Sequence, residues 1–333
     1  MKFSQIAPLA ALAGLALASP TPTINKGADK RSLAKRASIT EAASLGFASA
    51  NGGTTGGAGG TTTTVSDFAS FSAAAKAEGA AVIVVDGTIS GAGKVRPSSD
   101  KTIVGASGGA SLEGVGIYVK KASNVIIRNL KISKVKASDG DAIGIDASTN
   151  VWVDHVDLSG DLSAGKDDYD GLFDVTHASD YVTISNSKIH DHWKASLVGH
   201  SDSNESEDKG HLTVTYANVH WSNINSRGPS VRFGTVHIYN SLYEGIINNA
   251  INSRLGAQVL VESTTFSDTK SPIVFRDSDE TGYVVTNDVD LGGATNEVAV
   301  GTISGSSLPY KYELVGSGSV ASAVADAGAT LSW

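Results

Sequence analysis

Six short segments of this 333-residue chain share one pattern of apolar positions. In each, the first, third and eighth residues are apolar, and in nearly all a small or polar residue stands fifth. The segments span residues 125–132, 151–158, 182–189, 212–219, 236–243 and 259–266. Alternating apolar residues are typical of strands with one buried face. Because no helical pattern separates the segments, the repeat predicts short strands that stack coil upon coil.

The fold class predicted from this repeat is all-β, a right-handed parallel β-helix whose coils stack about 4.8 Å apart. Fifth-position residues are expected inside the bends, where polar side chains would form a ladder and satisfy free backbone groups. These bend positions are Asn129, His155, Asn186, Tyr216, Asn240 and Ser263. One short helix is predicted before the coils, over residues 66–78, because Phe68, Phe71 and Ala75 share a helical face. The tail 308–333 is expected to pack along the side of the coils.

The N-terminal residues have the pattern of a targeting segment. An apolar stretch rich in Ala and Leu is followed by a small-residue cleavage site, so residues 1–18 are predicted to be a signal peptide. Residues 19–36 end in the pair Lys35-Arg36 and are predicted to be a propeptide, although this pair also fits an ordinary exposed basic cluster. The protein is therefore expected to be secreted, with residues 37–333 forming a single β-helix catalytic domain.

Composition excludes several classes of function. The chain has no Cys, which rules out a disulfide scaffold, a thiolate metal site and a Cys nucleophile. Its formal net charge of -8 would repel nucleic acid phosphates. After the N-terminus, no stretch reaches the roughly 18 to 20 apolar residues that a membrane span needs. We therefore expect no nucleic acid or membrane partner, and a monomer. The only glycosylation sequon begins at Asn204.

Aspartate is concentrated in one part of the repeat. Residues 139–180 contain eleven Asp and no Glu. This density favours a site for a hard cation, although a solvated acidic face would have the same composition. An EF-hand is excluded, because placing Gly171 at its sixth position puts Lys166 at the first. Any calcium site must therefore join separate coils. Asp139 and Asp170 each stand twelve residues before the next repeat, so they are expected to stack.

Four further charged residues fall at similar distances before successive repeats, once the polar loop 201–210 is set aside as an insertion. They are Asp141, Asp174, Lys194 and Arg227. The repeat therefore predicts that they lie along one edge of the solenoid, with acids at one end and cations at the other. Asp170 and Asp174 could approach one ion from the same coil, with Asp139 or Asp141 contributing from the coil beneath. Calcium suits such a site, because it accepts six to eight oxygen ligands in loose geometry.

Five motifs in this order resemble those of the secreted, calcium-dependent pectate lyases of the parallel β-helix type, closest to the fungal branch. The motifs are Asp-Gly-Asp at 139–141, Val-Trp-Val-Asp-His at 151–155, Tyr-Asp-Gly-Leu-Phe-Asp at 169–174, Ile-His-Asp-His-Trp-Lys at 189–194 and Arg-Gly-Pro-Ser-Val-Arg at 227–232. The resemblance runs from about residue 37 to the C-terminus. It implies cleavage of de-esterified pectin, a polygalacturonate, by β-elimination with Ca²⁺.

The resemblance also implies a role for each site residue. Calcium ligands are expected at Asp141, Asp170 and Asp174, with Asp139 nearby. Arg227 is expected to be the catalytic base. Lys194 is expected to act in catalysis and to bind a substrate carboxylate. Arg232 and Arg254 are expected to be further substrate contacts. Because arginine is ordinarily charged, an arginine base predicts an alkaline optimum.

Three other functions remain open from the residues alone. A pectin lyase would act on methylated substrate without metal, but the retained acids favour the charged polymer. A hydrolase of the same polymer would use paired carboxylates and water, and Asp167-Asp168 offers a superficial pair. A non-catalytic carbohydrate-binding solenoid would bind polygalacturonate without shortening it. Product absorbance in the ultraviolet separates a lyase from a hydrolase or a binding protein, because only elimination creates a conjugated double bond.

Overall fold

The apolar positions of the repeat lie inside a tube of parallel strands. The computed structural model describes Met1 and residues 37–107 and 109–333. Apart from Met1, the predicted signal peptide and propeptide lie outside the described residues. Within the described part of the chain, no helix is both long and apolar enough to cross a membrane.

The elements are numbered in chain order. The helices are α1 (Phe68–Lys76), α2 (Glu205–Asp208) and α3 (Val320–Ala323). The first twelve strands are β1 (Thr61–Val65), β2 (Ala81–Val85), β3 (Thr88–Val95), β4 (Lys101–Gly105), β5 (Ser111–Lys120), β6 (Ser123–Arg128), β7 (Lys131–Ser133), β8 (Ile143–Asp146), β9 (Thr149–Asp154), β10 (Asp157–Ser159), β11 (Phe173–Thr176) and β12 (Asp180–Ser185). The remaining strands are β13 (Lys188–Lys194), β14 (Ser196–Val198), β15 (Thr213–Ala217), β16 (His220–Ser226), β17 (Ser230–Arg232), β18 (Thr235–Tyr239), β19 (Leu242–Ile246), β20 (Ile251–Arg254), β21 (Gln258–Thr269), β22 (Ile273–Val274), β23 (Tyr283–Asp290) and β24 (Ala299–Val300).

The strands form three parallel sheets around the core. The first sheet runs through β1, β2, β4, β6, β9, β12, β15, β18, β21, β23 and β24. The second runs through β3, β5, β7, β10, β13, β16, β19 and the second half of β21. The third runs through the ends of β3 and β5 and then β8, β11, β14, β17, β20 and β22. The predicted parallel β-helix is confirmed.

Helix α1 precedes the coils, as predicted, but it is shorter than residues 66–78. It begins at Phe68 because the side chain of Asp67 accepts a hydrogen bond from Ser70 N at 2.9 Å, which caps the helix. Phe71 and Ala75 are buried on the expected face. Two helices of four residues, α2 in an inserted loop and α3 near the C-terminus, were not predicted.

An asparagine ladder lies in the bends after the first sheet. Asn218 Nδ2 donates to Asn186 Oδ1 at 2.9 Å, and Asn240 Nδ2 donates to Asn218 Oδ1 at 3.1 Å. Asn186 and Asn240 belong to the ladder as predicted, but the prediction that Tyr216 lies in a bend is wrong, because Asn218 takes that place. Val182 pairs with Val214, so the fourth repeat begins two residues later than expected. Leu212 is buried at the end of the inserted loop. Because it is apolar, it fits the first position of the repeat although it lies outside β15.

Stacked aromatic side chains fill one end of the core. The rings of Trp221 and Tyr243 are stacked with centroids 5.5 Å apart, and those of Tyr243 and Phe266 are 4.5 Å apart. These residues occupy equivalent positions in successive coils of the second sheet. Each aromatic ring therefore packs against the coil above or below it, and Trp221 has no access to a sugar-binding surface.

The C-terminal tail packs along the side of the coils, as predicted. Tyr310 hydroxyl hydrogen-bonds with Thr215 at 2.9 Å, and Leu331 N donates to Asn129 Oδ1 at 2.9 Å. The indole of Trp333, the last residue, donates to Gly105 O at 2.9 Å. The tail therefore completes hydrogen bonds that the bends leave open.

Candidate active site

The site lies where the chain turns from the second sheet to the third. In successive coils this corner is formed by the residues around 141, 171, 195 and 227. Gly171 N donates to Asp141 Oδ1 at 2.9 Å, and Ser196 N donates to Arg227 O at 2.7 Å. The stacking of coils thus brings together side chains that are far apart in sequence.

Three carboxylates form an acidic group at this corner: Asp141, Asp170 and Asp174. Asp174 points outward from β11, is 8 % exposed and accepts a hydrogen bond from Leu197 N at 2.9 Å. Burial, with the neighbouring charge of Asp170, raises the pKa of Asp141 to about 6. Burial and then the charge of Asp141 raise the pKa of Asp174 well above its usual value. The acidic group is therefore short of positive charge.

The chemistry of the acidic group fits a hard divalent cation. Crowded carboxylates that resist ionisation are stabilised by a bound cation, and calcium prefers oxygen ligands. Across residues 37–107 and 109–333, no group of three or more His, Asp or Glu side chains is arranged so that it could hold a metal ion by itself. Water or ligand oxygens would therefore have to complete the coordination.

Asp139 lies apart from this group. It belongs to a 3-10 turn, Ala137–Asp139, and lines a different cavity with Lys134, Lys136 and Tyr169. Gly171 lies opposite Asp141, but Lys136 bridges Tyr169, so the register of β8 does not continue back to Asp139. The stacking of Asp139 on Asp170 stays a prediction.

A cleft of about 530 Å³ opens beside the acidic group. Its lining is strongly basic. The lining residues are Lys166, Lys194, Asn225, Ser226, Arg227, Ser230, Arg232, Asn248, Asn249, Asn252, Arg254 and Asp277. The structure thus brings all four predicted basic residues into one cleft, next to three of the four predicted acids. An anionic ligand suits this cleft, although the whole chain has a net charge of -8.

Arg227 lies at the sharp turn between β16 and β17. Its backbone has φ 65°, a left-handed conformation shared by bend residues such as Asn186 and Asn240, and it precedes a cis Gly228-Pro229 bond. The salt bridges of the described residues pair Lys194 and Arg232 with acids, but none of them involves Arg227. The half-buried guanidinium group is therefore free to contact a ligand in the cleft.

Two other cations of the cleft, Lys194 and Arg232, have acidic partners. Lys194 Nζ lies 3.0 Å from Asp167 Oδ1 and 3.5 Å from Asp170 Oδ1. Arg232 donates from Nη1 to Gly199 O at 2.7 Å and from Nε to the Asp202 carboxylate.

Arg254 forms the floor of the cleft. It is 5 % exposed and donates from Nη1 to Asp277 O at 2.7 Å and from Nη2 to Ser230 Oγ at 3.1 Å. Burial, followed by the nearby charge of Arg232, lowers the pKa of Arg254 to about 10. Arg254 therefore supplies positive charge in a fixed position.

Sequence reasoning missed several contacts around the site. His192 Nε2 hydrogen-bonds with the carbonyl oxygen of Asp170, and burial lowers the pKa of His192 to about 4. A neutral His192 therefore fixes the backbone of a candidate ligand. The contacts of Asp167 and Asp202 were also missed, because both lie in irregular loops. Asp168 accepts a hydrogen bond from Gly165 N at 2.8 Å, whereas Asp167 pairs with Lys194, so the two neighbouring carboxylates have separate partners.

Comparison with known proteins decides the family. A family model described as "Pectate lyase" matches residues 7–331. The chain belongs to the pectate lyase family. A probable pectate lyase A of Aspergillus fumigatus is 56% identical over 335 residues, covering 100% of both chains. A probable pectate lyase B of Aspergillus flavus is 55% identical over 315 residues, covering 94% of this chain and 95% of its own.

A solved pectate lyase shares the fold. Bsp165PelA from Bacillus sp. N165, crystallised in complex with trigalacturonate, superposes with a TM-score of 0.78 and 29% identity, covering 86% of this chain and 98% of its own. The resemblance inferred from the five motifs is confirmed, and so is the prediction that the chain is a pectate lyase, a polysaccharide lyase.

Proposed function

We propose that this pectate lyase cleaves de-esterified polygalacturonate by calcium-dependent β-elimination in the cleft beside Asp141, Asp170 and Asp174. One observation carries the proposal: an acidic group short of positive charge adjoins a cleft lined by five cations, among them Lys194, Arg227, Arg232 and Arg254. A polyanion would bind the acidic group through calcium and the cations of the cleft directly, so it accounts for both parts of the site. The trigalacturonate bound to the Bacillus relative supports the same class of substrate.

Asp141, Asp170 and Asp174 would hold the calcium ion. When bound, calcium would draw electron density from the substrate carboxylate and stabilise the charge that develops during proton removal. Asp139 is not included, because it faces another cavity.

Arg227 would remove the proton at C5 of the galacturonate unit. It lines the cleft, and among the described residues its guanidinium group forms no salt bridge with an acid. Since arginine acts as a base only in its neutral form, activity should rise with pH. The C5–H electrons then form the C4=C5 double bond as the C4–O bond breaks. Its electron pair leaves with the glycosidic oxygen, which takes up a proton, and no water is consumed.

Lys194, Arg232 and Arg254 would position the substrate. Lys194 and Arg232 reach the cleft from the ends of β13 and β17 and would bind galacturonate carboxylates. Arg254, on the floor of the cleft, would contribute positive charge beneath Lys194 and Arg232. Lys194 also contacts Asp170, so it would keep the substrate carboxylate next to the calcium ligands.

The protein would act outside the cell, in keeping with the signal peptide predicted for residues 1–18 and a propeptide that ends at Arg36. These boundaries can be checked by sequencing the N-terminus of the secreted protein. A first residue at 37 is the expected result.

The proposed function is tested by ultraviolet absorbance during incubation with polygalacturonate, with calcium and with a chelator. Unsaturated product should form only with calcium, and calorimetry should show calcium binding without substrate. Chain shortening without absorbance would indicate a hydrolase instead. Binding without shortening would indicate a non-catalytic solenoid, and activity only on methylated pectin without calcium would indicate a pectin lyase.

A further inference from the structure

Two loops inserted between coils each bring one Asp carboxylate into contact with a cation of the cleft. The loop between β10 and β11 carries Asp167, whose Oδ1 lies 3.0 Å from Lys194 Nζ. The loop between β14 and β15 carries Asp202, which accepts a hydrogen bond from Arg232 Nε. The two acids come from separate insertions, yet each pairs with a cation assigned to the substrate.

We propose that Asp167 and Asp202 are internal competitors of the substrate: in the free enzyme they occupy Lys194 and Arg232, and galacturonate carboxylates displace them on binding. This inference rests on the proposed function, because it takes Lys194 and Arg232 to be substrate contacts. It assigns Asp167 and Asp202 a part in setting the affinity for substrate and product.

Exposure of the two acids makes the exchange possible. The side chains of Asp167 and Asp202 are 84% and 49% exposed, whereas those of Lys194 and Arg232 are only 11% and 13% exposed. The cations are fixed in the wall of the cleft, and the acids lie on its solvent side. An exposed Asp side chain rotates in picoseconds to nanoseconds, so the exchange would not limit turnover.

The loops themselves are anchored, so the exchange needs only side-chain rotation. In the first loop, Trp193 Nε1 donates to Ala164 O at 3.0 Å. In the second, the buried Asp208 accepts a hydrogen bond from Ala178 N at 2.7 Å. Neither anchor involves Asp167 or Asp202, so both acids can turn away without unfolding their loops.

Both cations keep part of their hydrogen-bonding capacity for a ligand. Arg232 uses Nε for Asp202 and one Nη1 hydrogen for Gly199 O, and an arginine carries five N–H donors in total. An incoming carboxylate can therefore engage Arg232 at Nη2 before Asp202 leaves. A stepwise exchange of this kind avoids exposing an unpaired buried charge.

The two acids would also speed product release. An elimination product is itself an oligogalacturonate, so it competes for the same cations. When Asp167 and Asp202 return to Lys194 and Arg232, they replace the product carboxylates. Their removal should therefore strengthen the binding of substrate and product alike.

The variants Asp167→Asn and Asp202→Asn test this inference. Each keeps the shape of the side chain and removes its charge. Because an exposed ion pair contributes only a small free energy, each variant should lower KM for polygalacturonate about two- to fivefold. The inhibition constant of trigalacturonate should fall by a similar factor. The matched control is Glu205→Gln, which removes a charge paired with Lys209 in the same inserted loop and should change neither constant.

A positioning role for the acids gives the opposite result. If Asp202 only holds Arg232 in place, Asp202→Asn should raise KM, and that outcome would overturn the inference. Unchanged constants in both variants would overturn it too. A crystal structure with trigalacturonate should show Asp167 and Asp202 turned away from Lys194 and Arg232.

Failure of the proposed function can be told apart from failure of this inference. Calorimetric titration of trigalacturonate measures affinity with or without turnover. Tighter binding in the Asn variants supports the inference even if no unsaturated product forms. Normal turnover with unchanged trigalacturonate affinity contradicts the inference and leaves the proposed function intact.

Discussion

Lys194 Nζ lies 3.5 Å from Asp170 Oδ1, so the basic cleft and the acidic group meet at this pair. The ammonium group would lie beside a bound calcium ion and repel it. Lys194→Ala should therefore tighten calcium binding in the absence of substrate, by about fivefold for a repulsion on the order of 1 kcal/mol. It should also lower turnover, because a substrate contact is lost. Calorimetry and product absorbance measure the two effects, and weaker calcium binding would contradict the proposed geometry.

Replacing Arg227 should separate chemistry from calcium binding. Arg227→Ala is expected to reduce turnover at least about 100-fold, since it removes the proposed base. Calcium affinity should stay within about threefold of the unmodified protein, because Arg227 is not a ligand. The control is Arg276→Ala, which removes an arginine paired with Glu297 outside the lining of the cleft and should retain normal turnover. Substantial activity in Arg227→Ala would rule out its role as the base.

Asp174 and Asp139 offer a matched pair of acids. Asp174→Asn should abolish measurable calcium binding and raise the thermal stability of the metal-free protein, because a buried carboxylate that is short of positive charge is removed. Asp139→Asn should leave calcium affinity unchanged. Differential scanning fluorimetry with and without calcium reports both quantities. Equal losses of affinity in the two variants would place Asp139 among the ligands after all.

Calcium binding should weaken in acid. The pKa of Asp141 is raised to about 6, so this carboxyl group takes up a proton below that pH and loses its capacity as a ligand. Because the folded protein binds this proton more tightly than the unfolded chain, the stability of the metal-free protein should fall as pH rises from about 4 to about 6. Calcium should therefore raise the melting temperature more at pH 8 than at pH 5. Equal calcium shifts at both pH values would contradict this assignment.

The C-terminal tail is fastened to the coils by a buried acid. Glu262 accepts hydrogen bonds from Tyr312 Oη at 2.6 Å and Asn287 Nδ2 at 2.9 Å, and it pairs with His237. Burial alone would raise the pKa of Glu262, but hydrogen bonds from His237, Asn287 and Tyr312 outweigh it and lower the pKa to about 2.

The stability that Glu262 contributes is therefore present above its unfolded pKa and is lost as pH falls toward 2. Glu262→Gln should destabilise the fold by about 1 to 3 kcal/mol at pH 7. Tyr312→Phe removes one donor and should have a smaller effect in denaturant titration. No change in either variant would show that the tail does not depend on this acid.

Much of the fold was predictable because each coil repeats the same apolar pattern. The predictions failed where the number of residues per bend changes. Val151 pairs with Val182 in the first sheet, whereas Asp146 pairs with Thr176 in the third, so the bend of the later coil contains one more residue. Counting back from the first sheet therefore shifts the register by one residue at this bend.

The candidate site was predictable for the same reason, since its charged residues stand next to strands. Asp174 lies within β11, and Asp141 and Arg227 stand just before β8 and β17. The partners of Lys194 and Arg232 were not predictable, because Asp167 and Asp202 belong to loops without periodicity. Only the path of the backbone through three dimensions shows that these loops reach the cleft.

The tail that packs along the coils changes how the molecule should unfold. A stack of coils in contact only with its neighbours can unravel from either end, one layer at a time. Here a single segment bonds to Gly105 and Asn129 near one end and to Asn240 and Glu262 near the other. If a terminal coil unfolds, it must break its hydrogen bonds with the C-terminal tail, and the same tail also stabilises distant coils. The whole stack is therefore expected to unfold as one cooperative unit.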